Sequence, residues 1–156
     1  MKKKKNITLK SIENRRASFD YQLNASLTAG MSLKGVEVRA IRDNRVSLKG
    51  AFITIRNNEL WLNNASLSLK NTGEGKSETT IDTSPKKLLV NRKELDKLSL
   101  EKQAGMTIVP IRILSGGRYI KIVIASGKGK KKFDKREALK QKQSNRENAK
   151  LLKNYR

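Results

Sequence analysis

TIVPIRILSGGRYIKIVIA, residues 107–125, decides the fold. From Thr107 to Leu114, Val109, Ile111 and Ile113 recur at every second position, the period of a half-buried strand, and share one face. Gly116-Gly117 turns the chain, and Ile120, Ile122 and Ile124 then alternate with Lys121 and Val123 in a second strand that runs to Ala125. Pro110 has no N–H to give to a ladder, so its strand lies at an edge or carries a bulge.

The same period recurs upstream. Phe19, Tyr21 and Leu23 alternate with Asp20 and Gln22; Ala51, Ile53 and Ile55 do likewise, and Asn57-Asn58 offers a two-residue turn into Leu60-Trp61-Leu62. Leu67 and Leu69 suggest a further short strand. Short strands joined by tight turns predict a mainly β protein, a small antiparallel barrel rather than a parallel sheet. Asn91 and Glu94 have N-cap and N3 spacing, Leu95 and Leu98 follow at i, i+3, and Gly105 can end the helix in the left-handed conformation. Val36 to Arg42 reads both ways: Val38 and Ile41 suit a helix, whereas Val36, Val38 and Ala40 suit a strand. Lys70 to Ser84 is polar and aperiodic and is expected to be a mobile loop.

Charge defines the partner. The 156 residues carry 36 Lys and Arg against 14 Asp and Glu, a net charge of +22, which attracts polyanions: nucleic acid first, an anionic membrane face second. Twelve of these cations and only three acids fall in residues 127–156, so +9 sits on the last 30 residues. Since the apolar alternation also ends at Ala125, residues 1–126 are expected to be the barrel domain and 127–156 a basic tail.

Without Cys or His the chain has no disulfide, no imidazole or thiolate zinc site, no Cys nucleophile and no Ser-His-Asp triad. Glu37 and Asp43 stand among Arg39, Arg42 and Arg45, where surface pairing explains them better than a magnesium site. No enzyme, metal or cofactor is expected. Lys2 to Lys5 resemble the start of a signal peptide, but no apolar core follows, and no apolar run approaches the ~20 residues of a membrane span. A cytoplasmic protein without a membrane partner is the expectation. Seven aromatic residues leave little for a stacking platform, and Tyr21, Trp61 and Tyr119 in strand-like contexts are expected to pack in the core. Recognition therefore tilts toward the backbone and folded shape of RNA.

The tail opens with Gly127-Lys128-Gly129-Lys130-Lys131-Lys132, flexible and dense in cations, without the glycine spacing of a nucleotide-binding P-loop. From Asp134 the composition favours helix, with Asp134 and Glu137 forming a box-like start. Lys140 to Glu147 contains no apolar residue, so the tail is expected to be disordered when free and helical against a polyanion. Leu151, Leu152 and Tyr155 are its one apolar cluster.

These residues also fit a family pattern. In family order, Asn14-Arg15-Arg16-Ala17, Tyr21, Ala29-Gly30, Gly35-Val36-Glu37-Val38-Arg39, Ile41-Arg42, Arg45-Val46, Lys87-Leu88-Leu89, Glu94-Leu95, and Gly129-Lys130-Lys131 followed by Asp134-Lys135-Arg136 resemble small protein B, the SsrA-binding proteins of bacterial trans-translation. The last combination is the most specific. The resemblance implies an oligonucleotide-binding-type β-barrel with a few short helices, and a monomer. It also implies binding to the tRNA-like domain of transfer-messenger RNA and delivery with EF-Tu and GTP to stalled ribosomes. The tail would occupy the small-subunit decoding centre and the empty mRNA channel, and Val36 to Arg42 would be helical.

Carried over by position, Asn14, Arg15, Arg16, Gly35, Glu37, Arg42, Lys121 and Lys128 are implied RNA-binding residues, Gly35, Glu37 and Arg42 within a motif that is equally compatible with a structural role. Lys130, Lys131, Phe133, Asp134, Lys135, Arg136, Leu151 and Leu152 are implied ribosome-binding tail residues, Phe133 as a ring that stacks on a decoding-centre base. The chain departs from the pattern at Ser18 and Phe19, at Thr28, and at Thr83-Ser84-Pro85-Lys86. A ribosomal or general RNA-binding protein of the same barrel type is the alternative, and a polybasic membrane-surface protein using Lys2 to Lys5 is a rival from another class.

Overall fold

The computed structural model describes residues 11–73 and 76–154. Lys2 to Lys5 and Tyr155 lie outside them. Six strands close into an antiparallel ring. In spatial order these are β9 (Thr107–Leu114), β10 (Lys121–Gly129), β2 (Tyr21–Met31), β8 (Lys86–Leu89), β5 (Glu59–Asn63) and β4 (Phe52–Arg56). The pairing of Ile53 with Ile108 joins β4 back to β9, and β1 (Ser11–Glu13) adds to the free edge of β9. The expected antiparallel barrel is therefore present. Its interior is filled by Ile53, Leu60, Leu62, Leu88, Ile108, Ile113, Ile122 and Ile124, with Leu95 and Leu98 of α3 (Arg92–Gln103) in the same cluster.

Local chemistry sets the corners. Asn57 and Asn58 take positive φ values of 49° and 59°, as a two-residue hairpin turn between β4 and β5 requires. Helix α3 begins at the expected cap, with the Asn91 N–H donating to Glu94 Oε2 at 3.1 Å, and stops at Gly105 with φ +82°. Residues 35–42 form helix α2 (Gly35–Arg42), which resolves the ambiguous segment; Ala40 and Ile41 are buried.

Pro110 changes the face assignment of β9. Val123 pairs with Arg112 but Ile124 pairs with Pro110, so Ile111 is an extra residue, a bulge where proline has no N–H to give. The bulge inverts the alternation. Ile113 joins Ile108 inside the barrel, whereas Val109 faces the other way with Val123 and Ala125, so Val109, Ile111 and Ile113 do not share a face. The connection from β9 to β10 also takes six residues, 115–120, rather than a two-residue turn.

Three other expectations are corrected. Phe19 lies on helix α1 (Arg15–Asp20), not on a strand. The expected mobile loop at 70–84 is largely a hairpin, β6 (Ser66–Gly73) with β7 (Lys76–Asp82), which β3 (Val46–Ser47) extends to a three-stranded sheet. Its ladder runs from Leu67 opposite Asp82 to Gly73 opposite Lys76, and the β-branched run Thr79-Thr80-Ile81 suits it even without apolar alternation. Finally, β10 passes the expected break at 126: Gly127, Lys128 and Gly129 pair with Leu23, Gln22 and Tyr21. Gly127 is required there, because a Cβ would stand 2.9 Å from the Gln22 carbonyl oxygen.

Candidate RNA interface

The bulge positions the N-terminal motif. With Ile111 looped out, its carbonyl accepts the Asn14 backbone N–H at 2.7 Å, and the Pro110 carbonyl accepts from Asn14 Nδ2 at 3.0 Å. Asn14 thus seats the start of α1, whose Ala17 is buried while Arg15 and Arg16 are exposed. Arg16 borders a cleft of about 300 Å³ walled by Asn14, Tyr21, Phe52 and Val109.

The root of the tail is fastened to the other end of α1. The Lys130 N–H donates to the Asp20 carbonyl at 2.9 Å, Lys130 Nζ donates to the Ser18 carbonyl at 2.9 Å, and Lys135 Nζ pairs with Asp20 Oδ1 at 2.7 Å while lying 6.0 Å from the Phe19 ring. Helix α4 (Lys132–Asn154) begins two residues before Asp134, which caps it from inside by accepting the Lys131 N–H at 3.2 Å. Phe133 and Leu139 are exposed, at 73% and 52%. Leu151 and Leu152 lie on α4.

A second cationic group lies at the far end of β10. Lys121 and Lys128 are seven residues apart, roughly 23 Å of extended strand. Lys121 is exposed, and the Arg42 guanidinium reaches the Arg118 carbonyl at 3.5 Å. Arg118 itself lies 5.4 Å from the centroid of the Tyr119 ring. Tyr119, expected in the core, is 68% exposed. Arg118 and Tyr119 were not singled out by sequence reasoning, because an alternating strand pattern predicts burial and only the six-residue turn takes the ring out of it.

Glu37 does not face solvent. It is 4% exposed, its Oε2 accepting the Lys34 N–H at 2.7 Å and its Oε1 pairing with Lys86 Nζ at 2.5 Å, so the expected surface pairing with neighbouring arginines is wrong for this residue. For Asp43 it holds, with Arg45 at 2.7 Å. Lys86 also binds Asp82 Oδ2 at 2.6 Å and Ser84 Oγ at 2.6 Å. The hydrogen bond from Lys86, helped by the Ser84 N–H, lowers the Asp82 pKa to about 2. Burial works against the Lys86 ammonium, but its bonds to Asp82 and Glu37 outweigh that and raise its pKa. The triad ties α2, the β6–β7 hairpin and β8 together. Gly35 is at the N-terminus of the same helix, exposed, with no neighbour near the position of a Cβ.

The structure therefore divides the implied residues into two exposed groups and a buried one. Asn14, Arg15 and Arg16 share α1 with the anchors of Lys130 and Lys135, and Lys128 precedes them on β10; Arg42 and Lys121 lie by Arg118 and Tyr119; Glu37 is interior. Among the described residues no helix is long and apolar enough to cross a membrane. A small closed antiparallel barrel with exposed cations at both ends of one strand and a basic helix rooted beside it defines a class of polyanion-binding proteins.

Sequence and structure comparisons specify the class further. A family model described as SmpB protein matches residues 11–154. The SsrA-binding protein of Mesomycoplasma hyopneumoniae is 41% identical over 145 residues, covering 92% of this chain and 97% of that protein. That of Enterococcus hirae is 38% identical over 144 residues, covering 92% of each. A chain solved in work described as "tmRNA-SmpB: a journey to the center of the bacterial ribosome" superimposes with a TM-score of 0.59 at 33% identity, covering 83% of this chain and 94% of that one. This chain belongs to the SmpB protein family.

Proposed function

We propose that this protein binds the tRNA-like domain of transfer-messenger RNA with its barrel and delivers it, with EF-Tu and GTP, to stalled ribosomes for trans-translation. It acts in the cytoplasm as a monomer and by binding, with no bond chemistry of its own. Arg15, Arg16, Arg42, Lys121 and Lys128 supply cations to the RNA backbone; Asn14 and Glu37 hold the elements that present them. Lys130, Lys131, Phe133, Asp134, Lys135, Arg136, Leu151 and Leu152 act in the decoding centre and the empty mRNA channel, with α4 as the inserted element.

The observation that carries this reading is the join between α1 and α4. The two motifs are more than 100 residues apart in sequence, yet Asp20 and Ser18 bind Lys130 and Lys135 directly. RNA held on α1 is thereby coupled in position to the helix intended for the ribosome. The names of the relatives support the RNA, and the ribosome in the description of the solved neighbour supports the destination. Affinity capture of the full-length protein from a bacterial lysate, followed by sequencing of the retained RNA, tests it. Enrichment of transfer-messenger RNA is expected; an unselective profile would leave a general RNA-binding protein instead.

A further inference from the structure

We propose that Tyr119 is a stacking platform for one unstacked nucleobase of the bound RNA, with Arg118 backing its ring and Arg42 and Lys121 gripping the adjoining phosphates. The proposal rests on the RNA-binding function above and adds to it a residue that reads a base. A tyrosine in the β9–β10 connection that is 68% exposed buries little of its apolar area, so its position asks for a partner. The Arg118 guanidinium 5.4 Å from the ring centroid restrains the ring and leaves the remaining surface open.

The surroundings identify that partner. Among the described residues Arg42, Arg118 and Lys121 form no ion pair with a carboxylate; the one bond of Arg42 goes to the Arg118 carbonyl, at 3.5 Å. An exposed ring with Arg118 against it, Arg42 bonded to the Arg118 carbonyl and Lys121 two residues along the chain matches the chemistry of looped RNA, whose splayed bases stack on aromatic and guanidinium planes while phosphates meet the charges. The other exposed rings differ. Phe19 lies under Lys135 at the tail root, Phe52 walls the cleft beside Arg16, and Phe133 is on the tail itself.

Stacking and charge separate by salt dependence. In titrations of full-length protein with transfer-messenger RNA at several salt concentrations, Tyr119→Ala should weaken binding about 10-fold, equivalent to ~1.4 kcal/mol, without changing the logarithmic slope, because no cation is lost. Tyr119→Phe should bind like the wild type, and Tyr119→Leu, which keeps apolar area but no π face, should resemble the alanine variant. Lys121→Ala should instead reduce the steepness of the slope by about 1. An unchanged unfolding midpoint for the Tyr119 variants establishes that they fold. Wild-type RNA affinity in Tyr119→Ala overturns the platform, and so does a variant that binds RNA normally but fails on the ribosome, which would make the ring a ribosome contact. Neither result touches the proposed function, which fails only if the wild type does not select transfer-messenger RNA.

Discussion

Lys86 illustrates what one residue can hide. Lys86 lies in a departure from the family pattern, and Glu37 reads as paired at the surface with neighbouring arginines, with the resemblance implying an RNA contact or a structural role, because its partner lies 49 positions away in sequence. Folding instead buries the pair, at 5% and 4% exposure, where each ion needs the other. Glu37→Ala should therefore cost about 3 kcal/mol in urea unfolding, by leaving Lys86 short of a counter-ion. Asp82 supplies the pH dependence. Its pKa is about 2 in the folded protein against an ordinary 3.8, so its contribution is complete above that ordinary value and is lost as pH falls from about 4 to 2. The loss should be about 1 to 2 kcal/mol, and Asp82→Asn should remove that part of the acid dependence; an unchanged acid profile in the variant would exclude Asp82 as its source.

Among the elements, those with strong periodicity were the legible ones. The strands around Ile53, Leu60 and Ile122, the α3 cap at Asn91 and the turn at Asn57-Asn58 follow from local pattern. The β9 faces do not, because a single looped residue at Ile111 reverses a two-residue period, and the sequence signals only that Pro110 disturbs something. The β6–β7 hairpin was illegible for another reason: its order comes from ladder pairing and from the Asp82–Lys86 tie, not from a buried stripe. For α4 the composition was legible and the anchor was not. Beyond Lys135 the described side chains of α4 up to Lys150 are exposed, so the packing that would stabilise it must come from outside. Asp20→Asn removes the Lys135 partner at the root of α4 and should reduce amide protection at Lys132 to Arg136 first. Leu151→Asn with Leu152→Asn removes no charge, yet forfeits roughly 2 to 4 kcal/mol of burial if the helix docks; normal RNA affinity with failed tagging is the expected outcome.

At the scale of the whole molecule, the +22 charge made a polyanion partner legible before any motif did. How the cations are distributed was not legible, since Arg42 and Arg118 are 76 positions apart in sequence and meet only through the fold. With about 5 phosphate contacts, the logarithm of transfer-messenger RNA affinity should fall against log salt with a slope of about −3.5 to −4.5; a slope near zero would place the charge away from the RNA. A division between barrel and tail is proposed after the last paired residue of β10, Gly129. A chain ending at Lys131 retains every strand, so it should unfold cooperatively and keep most of its RNA affinity, losing mainly the Lys135–Asp20 pair, worth up to about 1 kcal/mol. The most direct measurement is tagging of nascent chains on stalled ribosomes, reconstituted with transfer-messenger RNA and either the full chain or the chain ending at Lys131. The full chain should give tagged product and the shortened one none, although both bind the RNA; equal tagging by the two would contradict the assignment of α4 to the decoding centre and mRNA channel.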